Sequence, residues 1–239
     1  MWDYETSIPE VMDSLHNLVA ARRVLYLGIS DTPAWVVSQA NQYAMDQGKK
    51  PFIIYQGKWS ILERSFEREI TPMAESLGMA LSPWVFLGQG RLRTDAEEQR
   101  GREGTYDEGP GLKTHRGGGT NVTAVAIAYV MQKAPYVFSI IGGRKVEHLQ
   151  ADLAALDISL SKDQIEYLET VIPFDPGFPT TMIGDGTSHK IFLALTAKMA
   201  KQPTGQAYHA LTECDSDSNE LPVFCSLTFK RYMLTHLAY

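Results

Sequence analysis

Cysteine is nearly absent from this chain: Cys214 and Cys225 are the only two in 239 residues, and both lie late. Two cysteines build no disulfide framework, and no zinc-type spacing surrounds them. Long apolar runs are absent too, since no stretch approaches the roughly 18 residues of a membrane-spanning helix. The first residues, MWDYETSIPE, have neither the basic start nor the apolar core of a secretory signal. A net charge of −6 leaves no excess of cations for a broad nucleic-acid surface. The dinucleotide fingerprint G-x-G-x-x-G is missing as well: Gly88-Gln89-Gly90 is followed by Arg91-Leu92-Arg93. These absences point to a cytoplasmic chain with no membrane and no nucleic-acid partner. What is present, 44% hydrophobic and 21% charged residues, suits an ordinary globular fold with a sizeable core.

Apolar periodicity alternates between two kinds. Ser7 and Glu10 have capping-box spacing, and Ile8, Val11, Met12, Leu15, Leu18 and Val19 follow at helical intervals. VLYLGIS (24–30) reads as a buried strand. Thr32 and Pro33 open a second helix, cap first and Pro at its first position, which stops at Gly48. FIIYQ (52–56) is a second strand. A helical face over Leu62–Leu77 follows, which Pro72 should kink or divide, ending at Gly78. MALSPW (79–84) is a third strand. A polar stretch over 91–119 precedes an Ala-rich buried helix at 123–133, and VFSII (137–141) is a fourth strand. Helices over 145–156 and 161–172 complete the pattern, the latter with a capping box of Ser161 and Gln164.

Strands that alternate with helices pair in parallel. Starts near 24, 52 and 79 recur at the unit length of a (β/α)8 barrel, which spreads roughly 250 residues over eight units. Four strands make half of one. The expected fold is therefore α/β: an incomplete (β/α)8 TIM barrel of about four parallel strands with helices, followed by an irregular, loosely ordered tail over 187–239. A doubly wound sheet is the alternative, weakened by the missing glycine fingerprint.

The most pointed segment is VFSIIGGRKVEHLQAD (137–152). A strand ends in Gly142 and Gly143, two cations follow (Arg144, Lys145), and a helix opens at once. Glycine lets a backbone approach a ligand, and a helix N-terminus offers free N–H groups to an anion. The bland alternative is an ordinary strand-to-helix turn with solvated cations. In parallel α/β folds ligands bind at the C-terminal ends of strands. The other ends deliver Ser30 and Asp31, then Tyr55 and Gln56, then Ser82, Pro83, Trp84 and the Leu87-Gly88-Gln89-Gly90 loop. Singly, each has a structural explanation: Ser30, Asp31 and Thr32 as helix caps, Gln56 as a buried hydrogen-bonding group, Trp84 as core. Together they converge on one end of the sheet.

YLGISD (26–31), IIYQGKWSILERSFEREI (53–70), MALSPWVFLGQG (79–90), TAVAIAYVMQKAPYVFSIIGGRKVEHL (123–149) and VIPFDPGFP (171–179) resemble fungal aldo-keto reductases of the aryl-alcohol dehydrogenase and norsolorinic-acid reductase type. The resemblance covers about residues 2–186 and implies that residues 1–186 are the second half of the barrel. It implies a TIM barrel and an NADP(H)-dependent oxidoreductase that reduces an aldehyde or ketone, or oxidises the alcohol, in secondary-metabolite biosynthesis. By motif, Ser30, Asp31 and Gln56 would hold the nicotinamide carboxamide. Ser82, Pro83, Trp84, Leu87, Gly88 and Gly90 would wrap the pyrophosphate. Gly142, Gly143, Arg144 and Lys145 would take the 2′-phosphate, which favours NADP over NAD, and His148 and Asp152 would lie by the adenine. The partner would be a small carbonyl or alcohol substrate.

The family's catalytic Asp, Tyr, Lys and His lie on or after its first four strands, and the resemblance places Trp2-Asp3-Tyr4 just past that His. No residue of the chain is therefore assigned a catalytic role, and the chain is expected to be truncated. Val85 stands where relatives tend to have Gly, and 111–119 replaces a charged helix. The alternative function is a catalytically dead remnant or nucleotide-binding pseudoenzyme. A half-barrel would also expose sheet edges and an apolar face suited to self-association.

Overall fold

The computed structural model describes residues 2–84, 122–142, 146–184 and 207. Three parallel strands lie side by side in chain order: β1 Leu27–Ser30, β2 Phe52–Lys58 and β3 Ala80–Trp84. A helix precedes or follows each: α1 Ile8–Ala20, α2 Ala34–Asp46 and α3 Phe66–Ser76. After β3 come α4 Val122–Lys133, α5 Val146–Leu153 with a 3-10 turn at Ala154–Asp157, α6 Lys162–Val171, and a single turn, α7, at Thr180–Ile183.

The fourth strand expected over 137–141 is a correction: the sheet has three strands, and this segment only runs beside β3, held by one isolated bridge and a few hydrogen bonds because Pro83 has no N–H to continue the ladder. Val137 bridges Leu81 in parallel. Phe138 N donates to Leu81 O at 2.8 Å, and Ile140 N donates to Pro83 O at 2.9 Å. The β-α alternation and parallel pairing are thus as the periodicity implied. The strand limits differ. β1 begins at Leu27, leaving Leu25 and Tyr26 exposed before it, and β2 runs on to Lys58.

Alternation divides the sheet into two faces. Tyr55, Gly57, Leu81, Pro83 and Val137 are buried against helices. Gln56, Lys58, Phe138 and Ile140 are exposed on the other face, with Ser82 and Trp84 half-buried beside them. The helix side is tightly filled. Phe66 stacks on Trp59 with centroids 5.3 Å apart and meets Tyr55 edge-on at 5.5 Å. A Cβ on Gly57 would lie 2.7 Å from Phe66 Cε2, so only glycine lets α3 sit this close to β2. Asn41 substitutes for a missing strand at the start of β2, with Nδ2 donating to Phe52 O at 2.9 Å and Oδ1 accepting from Phe52 N at 2.8 Å.

Local signals fared unevenly. Ser161 and Gln164 form the full capping box. At α1 the Ser7 Oγ accepts from Glu10 N at 3.3 Å, which is the forward half of the expected box. Gly48 and Gly78 take left-handed φ values of 63° and 62° just past α2 and α3, as C-terminal glycines do. The Thr32 cap is a correction. Pro33 occupies the cap position of α2 without a side-chain hydrogen bond, and Thr32 Oγ1 turns back to donate to Ser30 O at 2.9 Å. Pro72 also corrects an expectation, because α3 continues through it from Phe66 to Ser76 undivided. Tertiary packing of Phe66, Met73 and Ala74 holds the helix across the missing N–H.

A cluster of charges braces the helix layer. The Arg64 guanidinium grips Glu67 with two hydrogen bonds of 3.0 and 2.8 Å and lies 3.3 Å from Glu169. Lys133 Nζ donates to Glu169 at 2.6 Å, Tyr129 OH donates to the same carboxylate at 3.1 Å, and Trp59 Nε1 donates to Glu67 at 3.1 Å. Burial alone would lower the Arg64 pKa, but Glu67 outweighs it and the group is held still more firmly protonated. Burial and the charge of Glu67 push the Tyr129 phenol well above its ordinary range. The 171–179 segment docks beside this cluster, with the guanidinium carbons of Arg64 and Arg68 lying 4.9 and 5.1 Å from the centre of the Phe174 ring.

Candidate functional site

Strand register builds the site. Ser30 pairs with Gln56, and Gln56 pairs with Ser82. Paired residues of a parallel sheet project to the same side, so three polar side chains from three strands form one row across the open face. The Val137–Leu81 bridge places Phe138 next along that row, and Ser82 Oγ donates to Phe138 O at 3.1 Å. The row lies toward the C-terminal ends of the strands, where α/β folds bind ligands. Of the residues expected here, Ser30, Gln56 and Ser82 are brought together. Trp84 lies on the same face one step further along.

Asp31 completes the row at its β1 end. Its φ of 47° is left-handed, a conformation that Asp tolerates better than most residues. Its N–H donates to Gln56 O at 3.2 Å, which carries the β1–β2 ladder one residue past the strand. Ser30 Oγ donates to Asp31 Oδ2 at 3.0 Å, and the Asp31 side chain is exposed. The turn is locked from behind: Thr32 N donates to Tyr55 OH at 2.9 Å, and Tyr55 OH donates to Thr32 O at 2.7 Å. Burial is the main cause of a raised Tyr55 pKa, opposed by the Thr32 hydrogen bond and reinforced by Asp31.

Pro83 departs from its expected place. Its ring is fully buried on the helix side, so only its backbone faces the sheet, and its carbonyl already accepts from Ile140 N. Gly142 is exposed just past the 137–141 segment. Leu87, Gly88, Gly90, Gly143, Arg144 and Lys145 lie outside the described residues. On α5, His148 is exposed, while Asp152, one turn on, is 7% exposed. Burial raises the Asp152 pKa, and His148 opposes the rise.

Lys58 is a residue that sequence reasoning missed. It shares the open face with Gln56 and pairs in register with Trp84, while its Nζ lies 3.7 Å from Glu63 Oε2. The signal was available in the i, i+2 alternation of Ile54, Gln56 and Lys58, had β2 been extended beyond Gln56. Three further titratable groups are engaged away from the row. Tyr43 OH donates to Asp13 at 3.0 Å, Lys49 pairs with the same carboxylate at 3.1 Å, and His16 Nδ1 accepts from Lys50 N at 3.3 Å.

The sequence profile of the aldo/keto reductase family matches residues 1–173. The chain belongs to the aldo/keto reductase family. It is 50% identical over 226 residues to an aryl-alcohol dehydrogenase, NADP(+), of Phanerodontia chrysosporium, covering 86% of this chain and 59% of that protein. It is 48% identical over 199 residues to norsolorinic acid reductase B of Dothistroma septosporum, covering 76% of this chain and 50% of that one. The chain thus spans between half and two thirds of the length of these aldo/keto reductases. The crystal structure of a thermostable aldo-keto reductase, Tm1743, superposes with a TM-score of 0.54 at 20% identity, over 71% of this chain and 56% of that one. The family and that structural likeness imply the (β/α)8 barrel fold, of which the parallel strands and their helices are the repeating unit.

Proposed function

We propose that this aldo/keto reductase chain binds NADP(H) on the open face and contributes the cofactor seat of an oxidoreductase that interconverts a carbonyl compound and its alcohol. The Ser30–Gln56–Ser82 row, with Asp31 beside it, carries the proposal. A carboxamide presents one carbonyl acceptor and an NH2 donor. The Asp31 carboxylate can accept from that NH2, and the Gln56 amide can donate to that carbonyl, so the residues present fit a nicotinamide. Ser82 and the loop after it would receive the pyrophosphate. Arg144 and Lys145 would receive the 2′-phosphate, for which a planar guanidinium is well shaped, and His148 and Asp152 would flank the adenine. The bound dinucleotide would supply the hydride. The chain's own part is to orient the nicotinamide and fix its distance from the sheet.

The name of the aryl-alcohol dehydrogenase relative supports an aryl alcohol or its carbonyl counterpart as the substrate class, and the reaction would serve secondary metabolism. A second proposal, nucleotide binding without turnover, rests on the engagement of Tyr43, Tyr55 and Lys49 away from the row. The open face, with Phe138 and Ile140 exposed, would then favour association between copies.

Fluorescence titration of the purified chain with NADPH tests the cofactor. Arg144→Ala should weaken NADPH binding about tenfold, the order expected for a charge-assisted contact to phosphate, and leave NADH nearly unaffected. Equal loss for both cofactors would reject the 2′-phosphate assignment. NADPH oxidation with an aryl aldehyde by the same chain would reject the binding-only proposal.

A further inference from the structure

Tyr55 invites a role beyond filling the core. Its ring comes from β2 and packs edge-on to Phe66, a contact that phenylalanine would make equally well. The hydroxyl is different. It is buried, it crosses to the end of the neighbouring strand, and it both donates to Thr32 O and accepts from Thr32 N. One oxygen thus satisfies two backbone groups of a single residue. That residue directly follows Asp31, whose left-handed φ is disfavoured for any side chain and needs its neighbours to hold it. From the other side, Asp31 N is tied to Gln56 O, and Thr32 Oγ1 is tied to Ser30 O. The backbone on both sides of Asp31 is therefore pinned, and its carboxylate is delivered to the row beside Ser30.

We infer that Tyr55 is a positioning residue of the nicotinamide seat: its hydroxyl clamps Thr32 and so holds Asp31 where its carboxylate can meet a carboxamide. The inference rests on the cofactor proposal above and deepens it. Tyr55 touches no ligand. It acts through the turn, and it gives β2 two roles in the same seat, with Gln56 facing the ligand and Tyr55 bracing the residue opposite from behind.

The test compares two probes on the full chain: NADPH, and adenosine 2′,5′-bisphosphate, which carries the 2′-phosphate but no nicotinamide. Tyr55→Phe keeps the ring and removes the clamp. It should weaken NADPH about tenfold, the effect of losing a well-made buried hydrogen bond, and leave the bisphosphate within about twofold. Amide exchange at Thr32 should quicken in the same variant. Phe66→Leu serves as control, because it loosens the same packing without touching the hydroxyl, and it should leave the ratio of the two affinities unchanged. Unchanged NADPH affinity in Tyr55→Phe, equal loss of both probes, or the same ratio shift in Phe66→Leu would each overturn the positioning role. Failure of the unsubstituted chain to bind either probe would overturn the cofactor proposal and this inference with it.

Discussion

Two polar clusters divide the described part of the molecule between them, one among the helices and one on the open face of the sheet. In the helix layer, Arg64, Glu67, Lys133, Glu169, Tyr129 and Trp59 point their charged and hydrogen-bonding groups at one another. Arg64 and Glu67 keep only 10% and 13% of their side-chain surface exposed. On the open face, Gln56 and Asp31 direct amide and carboxylate outward while their backbones are held in a ladder. The difference lies in what is satisfied. The helix cluster completes itself and joins elements a hundred residues apart; in the row the Ser30 and Ser82 hydroxyls donate to Asp31 Oδ2 and Phe138 O, while the Gln56 amide and the Asp31 carboxylate are exposed. A polar group that closes on its own fold contributes cohesion, and one presented from a fixed backbone is preorganised for something else.

That contrast can be broken or sharpened by substitution. The largest effect is expected from Arg64→Ala, which leaves Glu67 and Glu169 with Lys133 as their one cationic partner among the described residues. It should cost about 2–4 kcal/mol in urea unfolding while the folded protein keeps its NADPH affinity. A loss of affinity with no loss of stability would invert the assignment of the two clusters. Gly57→Ala is next, because its Cβ would meet Phe66 and Tyr55 at 2.7 and 2.9 Å. Overpacking of this kind should lower stability by about 1–3 kcal/mol, read as a fall in Tm. Since Gly57 adjoins Gln56, a coupled loss of NADPH binding would show that the sheet transmits strain to the row.

Gln56→Ala should do the reverse of Arg64→Ala. Unfolding should change by no more than about 0.5 kcal/mol, as for other exposed sites, and NADPH should bind about tenfold more weakly. The smallest effect is expected at Asp152. Its pKa is raised in the fold, so the native state holds a proton that the unfolded chain releases, and stability falls as pH rises from just below 3.8 through the raised value. Asp152→Asn should therefore raise Tm by on the order of 1–2 °C at pH 7, with the gain vanishing toward pH 4. A gain that persisted unchanged at low pH would mean that charge is not its cause.

Much of this organisation was legible in the chain. The three strands announce themselves as short apolar runs at 24–30, 52–56 and 79–84, the last two each preceded by a glycine, and Ser161 with Gln164 marks α6 by spacing alone. Their convergence on one end of the sheet follows from parallel pairing. What was hidden depends on register or distance. Thr32 looks like a cap in sequence, but Tyr55, 23 residues on, captures its backbone, and only the β1–β2 alignment reveals that. In the charged cluster Arg64 and Glu67 stand three residues apart, but no local pattern links them to Lys133 or Glu169. Pro83 fits a motif by its neighbours, yet strand alternation sends its ring to the core.

Because each member of the row comes from a different strand, the row is also a ruler. Neighbouring strands stand about 4.8 Å apart, so Ser30 and Ser82 are separated by two such steps, roughly 10 Å. Sliding a loop cannot change that interval; only breaking the ladder can. A ligand that engages both ends must be at least that long and carry polar groups at both. A lone phosphate or a small acid could reach only one end of that interval at a time.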